Sequence, residues 1–323
     1  MSAQPISFSD VLAARNRLRP HLQPTPLRSY PVLDREVGAG IRVLVKHENF
    51  QPTGAFKVRN GLSALTALQT APPGVVAATR GNHGLGLAWA GLRLGIPVTV
   101  CVPEGNNPEK NAAVRALGAR LVEEGPDYDA SAATVDRFVR EEGLHVVHST
   151  NDPTVVAGAG TITLEVLEEE PGIDALVFAV GGGSQAVGGL TVARELRPGL
   201  PVYAAQAAGA AAIHDAWHLG RPVSHPAADT FADGLATRNT YPFTFGALRA
   251  GLAGFVTVTD AAIAEALRLV LASTHTLVEG AGAAGLAGLL ALREELAGKT
   301  VAVVLSGANI DAETLRRVLA REI

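Results

Sequence analysis

The sequence predicts an α/β protein of two doubly wound domains with mainly parallel sheets. Three observations predict it. Short apolar runs alternate with amphipathic helical patterns, the rhythm of parallel strands joined by crossover helices. The alternation runs twice, breaking at Asn151-Asp152-Pro153. A chain of 323 residues with 47% hydrophobic content gives each of two domains a substantial core.

Taken in order, residues 8–22 read as an amphipathic helix that Ser7 or Ser9 can cap. Pro24-Thr25-Pro26-Leu27 forces an extended crossing, because proline disfavours helix in the residue before it. Residues 41–48 read as a strand, and a turn at Gln51-Pro52-Thr53-Gly54 opens a helix. Strands at 75–79, 98–102, 120–122 and 145–148 then alternate with helices at 83–94, 108–117 and 130–142. The second series has a helix at 155–169, a strand at 175–180, a glycine loop, a helix at 187–196 and a strand at 201–206. After a less regular stretch at 208–246 come a strand at 255–258, two helices, a strand at 301–305 and a final helix from Ala312. The expected organisation is a smaller domain, 52–149, inserted into a larger one made of 1–51 and 150–323.

Composition narrows the function. A formal charge of -4 argues against a nucleic-acid partner. No uncharged apolar stretch is convincing as a membrane span; the Ala-Gly-Leu run at 278–292 begins beside Glu279 and is glycine-rich. The N-terminus lacks a basic region followed by an apolar run, so no export signal is expected. The single cysteine, Cys101, cannot form an internal disulfide, which fits a cytoplasmic protein, and it reads as a small buried residue in a strand. His214, His218 and His225 match no zinc spacing, so no metal is expected there.

Lysine is scarce. Of 27 basic residues only Lys46, Lys57, Lys110 and Lys299 are lysines, so positive charge comes mostly from arginine. Arginine stays protonated, whereas a desolvated lysine amine is a nucleophile. Lys46 falls in a strand, and Lys110 and Lys299 lie in polar surroundings typical of solvated faces. Lys57, among small and apolar neighbours in Gly54-Ala55-Phe56-Lys57-Val58, is the candidate nucleophile; the motif alone also fits a lysine at a helix start.

Two glycine turns suggest anion sites. Gly181-Gly182-Gly183-Ser184-Gln185-Ala186 follows an apolar strand and opens a helix, where backbone N–H groups and the helix dipole favour a phosphate. The same letters satisfy the dinucleotide pattern of a nicotinamide oxidoreductase, but the acidic residue that pattern needs about 20 positions on is missing, the next strand ending at Gln206. Thr79-Arg80-Gly81-Asn82-His83-Gly84 is a second strand-to-helix turn.

The lysine turn Thr53-Gly54-Ala55-Phe56-Lys57-Val58-Arg59-Asn60, with Gly81-Asn82-His83-Gly84, Gly181-Gly182-Gly183-Ser184 and Ser306-Gly307-Ala308-Asn309 in that order, resembles the serine/threonine dehydratase and serine racemase branch of the fold-type II pyridoxal-phosphate enzymes. The resemblance covers nearly the whole chain and implies a tryptophan-synthase-β-like architecture. Departures stand at Ala55 and Asn60 and at Ser184, where a fourth glycine is usual.

The resemblance implies that Lys57 anchors pyridoxal 5′-phosphate and removes the substrate Cα proton. It assigns the cofactor phosphate to Gly181, Gly182, Gly183 and Ser184, the ring hydroxyl to Asn82, and the pyridine nitrogen to Ser306. Phe56 would pack near the ring and Glu279 would stand close to the cofactor. Thr79, Arg80, Gly81, Asn82 and His83 would bind the substrate, their turn holding its α-carboxylate. Asp233-Gly234 is similar to a segment lining the larger domain. Racemase-like relatives carry acidic metal ligands after a strand where this chain has only Gln206 and small residues to Ala212, so divalent metal is expected to matter little.

The expected activity is a lyase that deaminates a β-hydroxy-α-amino acid, L-threonine or L-serine first, to a 2-oxo acid and ammonia. A 3-hydroxyaspartate dehydratase, an amino-acid racemase and a β-replacement synthase are the alternatives within the family, and a nicotinamide oxidoreductase or a non-catalytic binding protein those outside it. The partners expected are a small amino acid and a second copy in a homodimer. Arg80 stands where racemases have a proton-carrying serine; it cannot exchange protons near neutral pH. Its guanidinium is expected to meet a protein carboxylate or solvent, or to bind a substrate carboxylate, either the α-group or the distal one of hydroxyaspartate.

Overall fold

In the computed structural model, residues 5–125 and 128–323 are described, and among them ten strands form two sheets. In chain order these are β1 (Leu27–Ser29), β2 (Arg42–Lys46), β3 (Val75–Ala78), β4 (Val98–Val102), β5 (Arg120–Glu123), β6 (His145–Val146), β7 (Ala175–Ala179), β8 (Val202–Ala207), β9 (Gly254–Val258) and β10 (Thr300–Val304). A six-stranded sheet runs β1-β2-β10-β7-β8-β9 and a four-stranded sheet runs β5-β4-β3-β6. All neighbours are parallel except β1, which pairs antiparallel with β2. Burial follows from parallel pairing: helices cover both faces, so β4, β7 and β8 are almost wholly apolar and buried.

The first helix, Phe8–Leu18, is capped by Ser7, whose hydroxyl accepts from the Asp10 N–H while the Asp10 carboxylate accepts from the Ser7 N–H. It stops short of residue 22 because Pro20 has no N–H to continue it. β6 is two residues long, shorter than the apolar pattern at 145–148 suggests. The stretch 208–246 is not wholly irregular: it holds the helix Ala212–Leu219 and the start of the helix Pro242–Gly251.

Beneath the lysine turn lies a network that the sequence does not advertise. Lys46, on a central-sheet strand and fully buried, pairs with Glu165 at 2.6 Å and donates to the Thr25 carbonyl at 2.6 Å. Arg59 donates to both oxygens of the buried Glu48 at 2.8 Å and to Glu165 at 2.5 and 2.8 Å. Burial opposes charge at these groups, yet the paired carboxylates hold Arg59 above its ordinary range and Arg59 holds Glu48 below its own. The Glu48 carboxylate also accepts from Gln51 Nε2 at 3.1 Å, which fixes the entry to the lysine turn.

Candidate active site

The lysine turn is seated against the C-terminal end of β10. The Phe56 N–H donates to the Ser306 carbonyl at 2.9 Å, the Ala308 N–H to the Gly54 carbonyl at 2.8 Å, and Ala55 bridges Gly307. Lys57 then begins the helix Lys57–Thr66, which crosses the helix Asn82–Leu94 with no side chain between them: a Cβ on Gly86 would stand 2.4 Å from the Lys57 carbonyl oxygen, and one on Gly61 2.6 Å from that of Gly86. This contact brings the start of the Asn82 helix beside Lys57.

The ends of β3, β7 and β10 converge on a cavity of about 380 Å³. Every residue to which the resemblance gave a cofactor or substrate role lines it: Phe56 and Lys57; Thr79, Arg80, Gly81, Asn82 and His83; Gly181, Gly182, Gly183 and Ser184; and Glu279 and Ser306. Crevices outside the carboxyl ends of parallel strands are where such sheets bind ligands.

Burial lowers the Lys57 amine from 10.5 to about 8. Its Nζ donates to the Ser149 carbonyl at 3.2 Å and lies 4.9 Å from the Phe56 ring centre. His83 is buried, its Nε2 bonded to the Val147 carbonyl at 2.9 Å and its Nδ1 without a partner among the described residues. Burial, then the Lys57 charge, push it down to about 3, so it is neutral.

Asn82 is the centre of a relay of amides. It donates to Glu279 Oε1 at 2.5 Å and accepts from Asn309 Nδ2 at 2.7 Å, while Asn309 also donates to the Thr53 carbonyl at 2.9 Å. Burial raises the Glu279 carboxyl above its ordinary range, against the opposing Lys110 charge and the Asn82 bond. The Ser306 hydroxyl, buried at the end of β10, donates to the Ala281 carbonyl at 3.4 Å.

The glycine loop tests whether an anionic group fits. A Cβ on Gly181 would lie 2.4 Å from the Gly234 carbonyl oxygen, one on Gly182 2.0 Å from Thr150 Oγ1, and Gly183 adopts φ +93°. Only bare backbone fits, and it opens the helix Ser184–Leu196, so N–H groups and dipole face the cavity. A phosphate there, a carbonyl at Lys57 and an aromatic ring between Phe56 and Ser306 match the donors present.

The sequence reading missed several walls of the cavity. Lys110, assigned to a solvated face, is largely buried here; its Nζ pairs with Asp233 Oδ2 at 2.6 Å. Its scarcity as a lysine was the one available signal. Ser149 and Thr150, beyond β6, and Thr237, Arg238, Asn239 and Tyr241, from the stretch without periodicity, complete the lining. Arg80 is exposed at the rim and makes no hydrogen bond or ion pair among the described residues. His214 and His225 both contact Asp215, at 2.9 and 3.0 Å, away from the cavity. Among the described residues no three His, Cys, Asp or Glu side chains are grouped to hold a metal, and no helix is long and apolar enough to cross a membrane.

Comparison with known proteins identifies the family. A family model described as pyridoxal-phosphate dependent enzyme matches residues 18–307. The L-threonine ammonia-lyase of Geobacter sulfurreducens is 37% identical over 319 residues, 98% of this chain and 79% of that protein. The beta-hydroxyaspartate dehydratase of Paracoccus denitrificans is 33% identical over 96% of this chain and 98% of its own length. Among solved structures, maize serine racemase superposes with a TM-score of 0.92 at 27% identity over 98% of both chains, and the T.th. threonine deaminase with 0.89 at 35% over 94% of this chain and 99% of that one. With its fold, its glycine cradle and its buried lysine in place, the chain belongs to the family of pyridoxal-phosphate dependent enzymes, and pyridoxal 5′-phosphate is its cofactor.

Proposed function

We propose that the protein is a lyase that converts a β-hydroxy-α-amino acid, L-threonine or L-serine in the first instance, to a 2-oxo acid and ammonia. One observation carries the reading: a desolvated amine, Lys57, shares a cavity with a phosphate cradle and a second helix N-terminus that suits a carboxylate. Relatives named threonine ammonia-lyase and hydroxyaspartate dehydratase support it.

Bound pyridoxal phosphate supplies the electron sink that makes the substrate Cα–H acidic. Lys57, held low in pKa by burial, would anchor the cofactor and would serve as the base that takes the substrate Cα proton. Gly181, Gly182, Gly183 and Ser184 hold the phosphate. Backbone N–H groups at Asn82 and His83, with the Thr79 hydroxyl, which itself accepts from the Gly81 N–H at 3.1 Å, would bind the α-carboxylate. Asn82, oriented by Glu279 and Asn309, would bond the ring hydroxyl. Ser306, with a neutral hydroxyl buried at the end of β10, would meet the ring nitrogen without a charge to keep it protonated, which would favour loss of the β-hydroxyl. The Cα–H and Cβ–O bonds break, water leaves, and the released enamine hydrolyses to the 2-oxo acid and ammonia.

Racemisation needs a proton carrier on the face opposite Lys57. Arg80 stays protonated and does not serve. The same reading takes residues 52–149 as a smaller domain closing on 1–51 and 150–323, and the working form as a cytoplasmic homodimer; the buried, lone Cys101, pushed up to about 11 by burial and Glu124, fits a reducing compartment.

The test is Lys57→Ala. Purified wild type absorbs in the visible region of the lysine-linked cofactor and releases ammonia with a 2-oxo acid. The variant loses both the linkage and the turnover. Unmodified Lys57 in cofactor-loaded protein, or undiminished activity in the variant, refutes the assignment.

A further inference from the structure

We propose that Arg80 makes this site selective for β-hydroxy-α-amino acids bearing a second carboxylate on Cβ, the 3-hydroxyaspartate class, by pairing its guanidinium with that distal group. The inference rests on the lyase reading above and sharpens it.

The cavity's cations differ in their commitments. Lys57 is the cofactor anchor. Lys110 is paired with Asp233 at 2.6 Å. Arg238 reaches the Pro226 carbonyl at 3.5 Å and has a further interaction. Arg80 alone among these four has no hydrogen-bond or ion-pair partner among the described residues. It also sits one residue before the N-cap Gly81 of the helix Asn82–Leu94, where the macrodipole opposes a cation, so a bare guanidinium at this place is unfavourable until an anion joins it.

Position decides which anion. The α-carboxylate would lie against the backbone, where the N–H groups of Asn82 and His83 and the Thr79 hydroxyl, set by its bond from the Gly81 N–H at 3.1 Å, supply donors. Arg80 is exposed where Thr79 is buried, so its guanidinium would stand on the solvent side of those donors. Arg80, with Lys110, Asp233, Glu279 and Ala281, lines both this cavity and an adjoining one of about 470 Å³, and of the two cations there it is the one not already paired among the described residues, so a group projecting from Cβ towards that junction would meet its guanidinium. Threonine places a methyl there and serine a hydrogen, neither of which pairs with a guanidinium. A carboxylate does, in a charge-assisted and geometrically matched pair.

The experiment measures ammonia release by wild type, Arg80→Gln and Arg80→Lys from L-threo-3-hydroxyaspartate, L-threonine and L-serine. Spectral titration of each holoenzyme with L-aspartate, which has both carboxylates but no β-hydroxyl to lose, accompanies it. Wild type should prefer 3-hydroxyaspartate in kcat/KM. Arg80→Gln should lower the 3-hydroxyaspartate-to-serine ratio about 10- to 100-fold, the size of one lost bond to a charged group, and weaken L-aspartate binding similarly. Arg80→Lys should fall between. The proposal is overturned if wild type prefers serine, or if Arg80→Gln depresses all three substrates alike while its cofactor spectrum stays intact. Ammonia from none of the three overturns the lyase reading instead, and L-aspartate binding then still scores Arg80 on its own.

Discussion

At the scale of single residues, the protonation of Lys57 governs how the site assembles. Burial lowers its amine from 10.5 to about 8, so in the cofactor-free protein it is mostly charged below pH 8 and neutral above. Only the neutral amine attacks a carbonyl. Capture of pyridoxal phosphate by the cofactor-free protein should therefore quicken about tenfold per pH unit up to about pH 8 and then level. The stability of that form carries the same signature with a defined sign. Between about pH 8 and 10.5 the unfolded chain binds the proton that the folded one has released, so folding gains stability as pH rises through that window. Lys57→Met should remove this gain. A rate of capture that levels only near pH 10.5, or a Met variant with the wild-type pH dependence, would show that the amine is not desolvated.

At the scale of elements, the turns are more exacting than the strands. The strands β4, β7, β8 and β10 were legible because continuous apolar runs bounded by glycine or proline leave little else to form, and the glycine loop after β7 was legible by its letters. Most of the stretch 208–246 was not: beyond Asp233-Gly234, its part of the cavity wall from Thr237 to Tyr241 has no period to read. Nor were the partners of Lys46 and Arg59, because Glu165 meets them only once the helix Pro153–Glu169 packs against the helix Lys57–Thr66. Gly181→Ala probes the loop itself. The added methyl meets the Gly234 carbonyl, a backbone atom that cannot swing aside. Overpacking of this kind costs about 1–3 kcal/mol. The variant should melt earlier in the cofactor-free form and shed cofactor on gel filtration. Wild-type melting together with full cofactor retention would place the loop's tight fit elsewhere.

At the scale of the whole molecule, the cavity lies between the two sheets, and what ties its walls together controls access. Lys110 comes from the helix Pro108–Ala116 that follows β4 in the four-stranded sheet, and Asp233 from a turn on the six-stranded side. Their 2.6 Å pair, with Lys110 10% exposed and Asp233 46%, bridges the mouth, and the Lys110 stem lies across Gly81, where a Cβ would stand 3.0 Å from it. One shoulder of the pair meets solvent, which limits its worth to the range of about 0–1 kcal/mol found for exposed pairs. On the reading that residues 52–149 close over the substrate, this pair would open for entry and re-form on closure. Asp233→Asn should therefore raise KM about two- to fivefold, in keeping with that range, and change kcat less. Hydrogen exchange should quicken in residues 79–83 and 108–116, the segments that Lys110 holds together. Salt near 1 M, which shortens screening to about 3 Å, should move wild type towards the variant. An unchanged KM with unchanged exchange in those segments would show that the two walls close without this link.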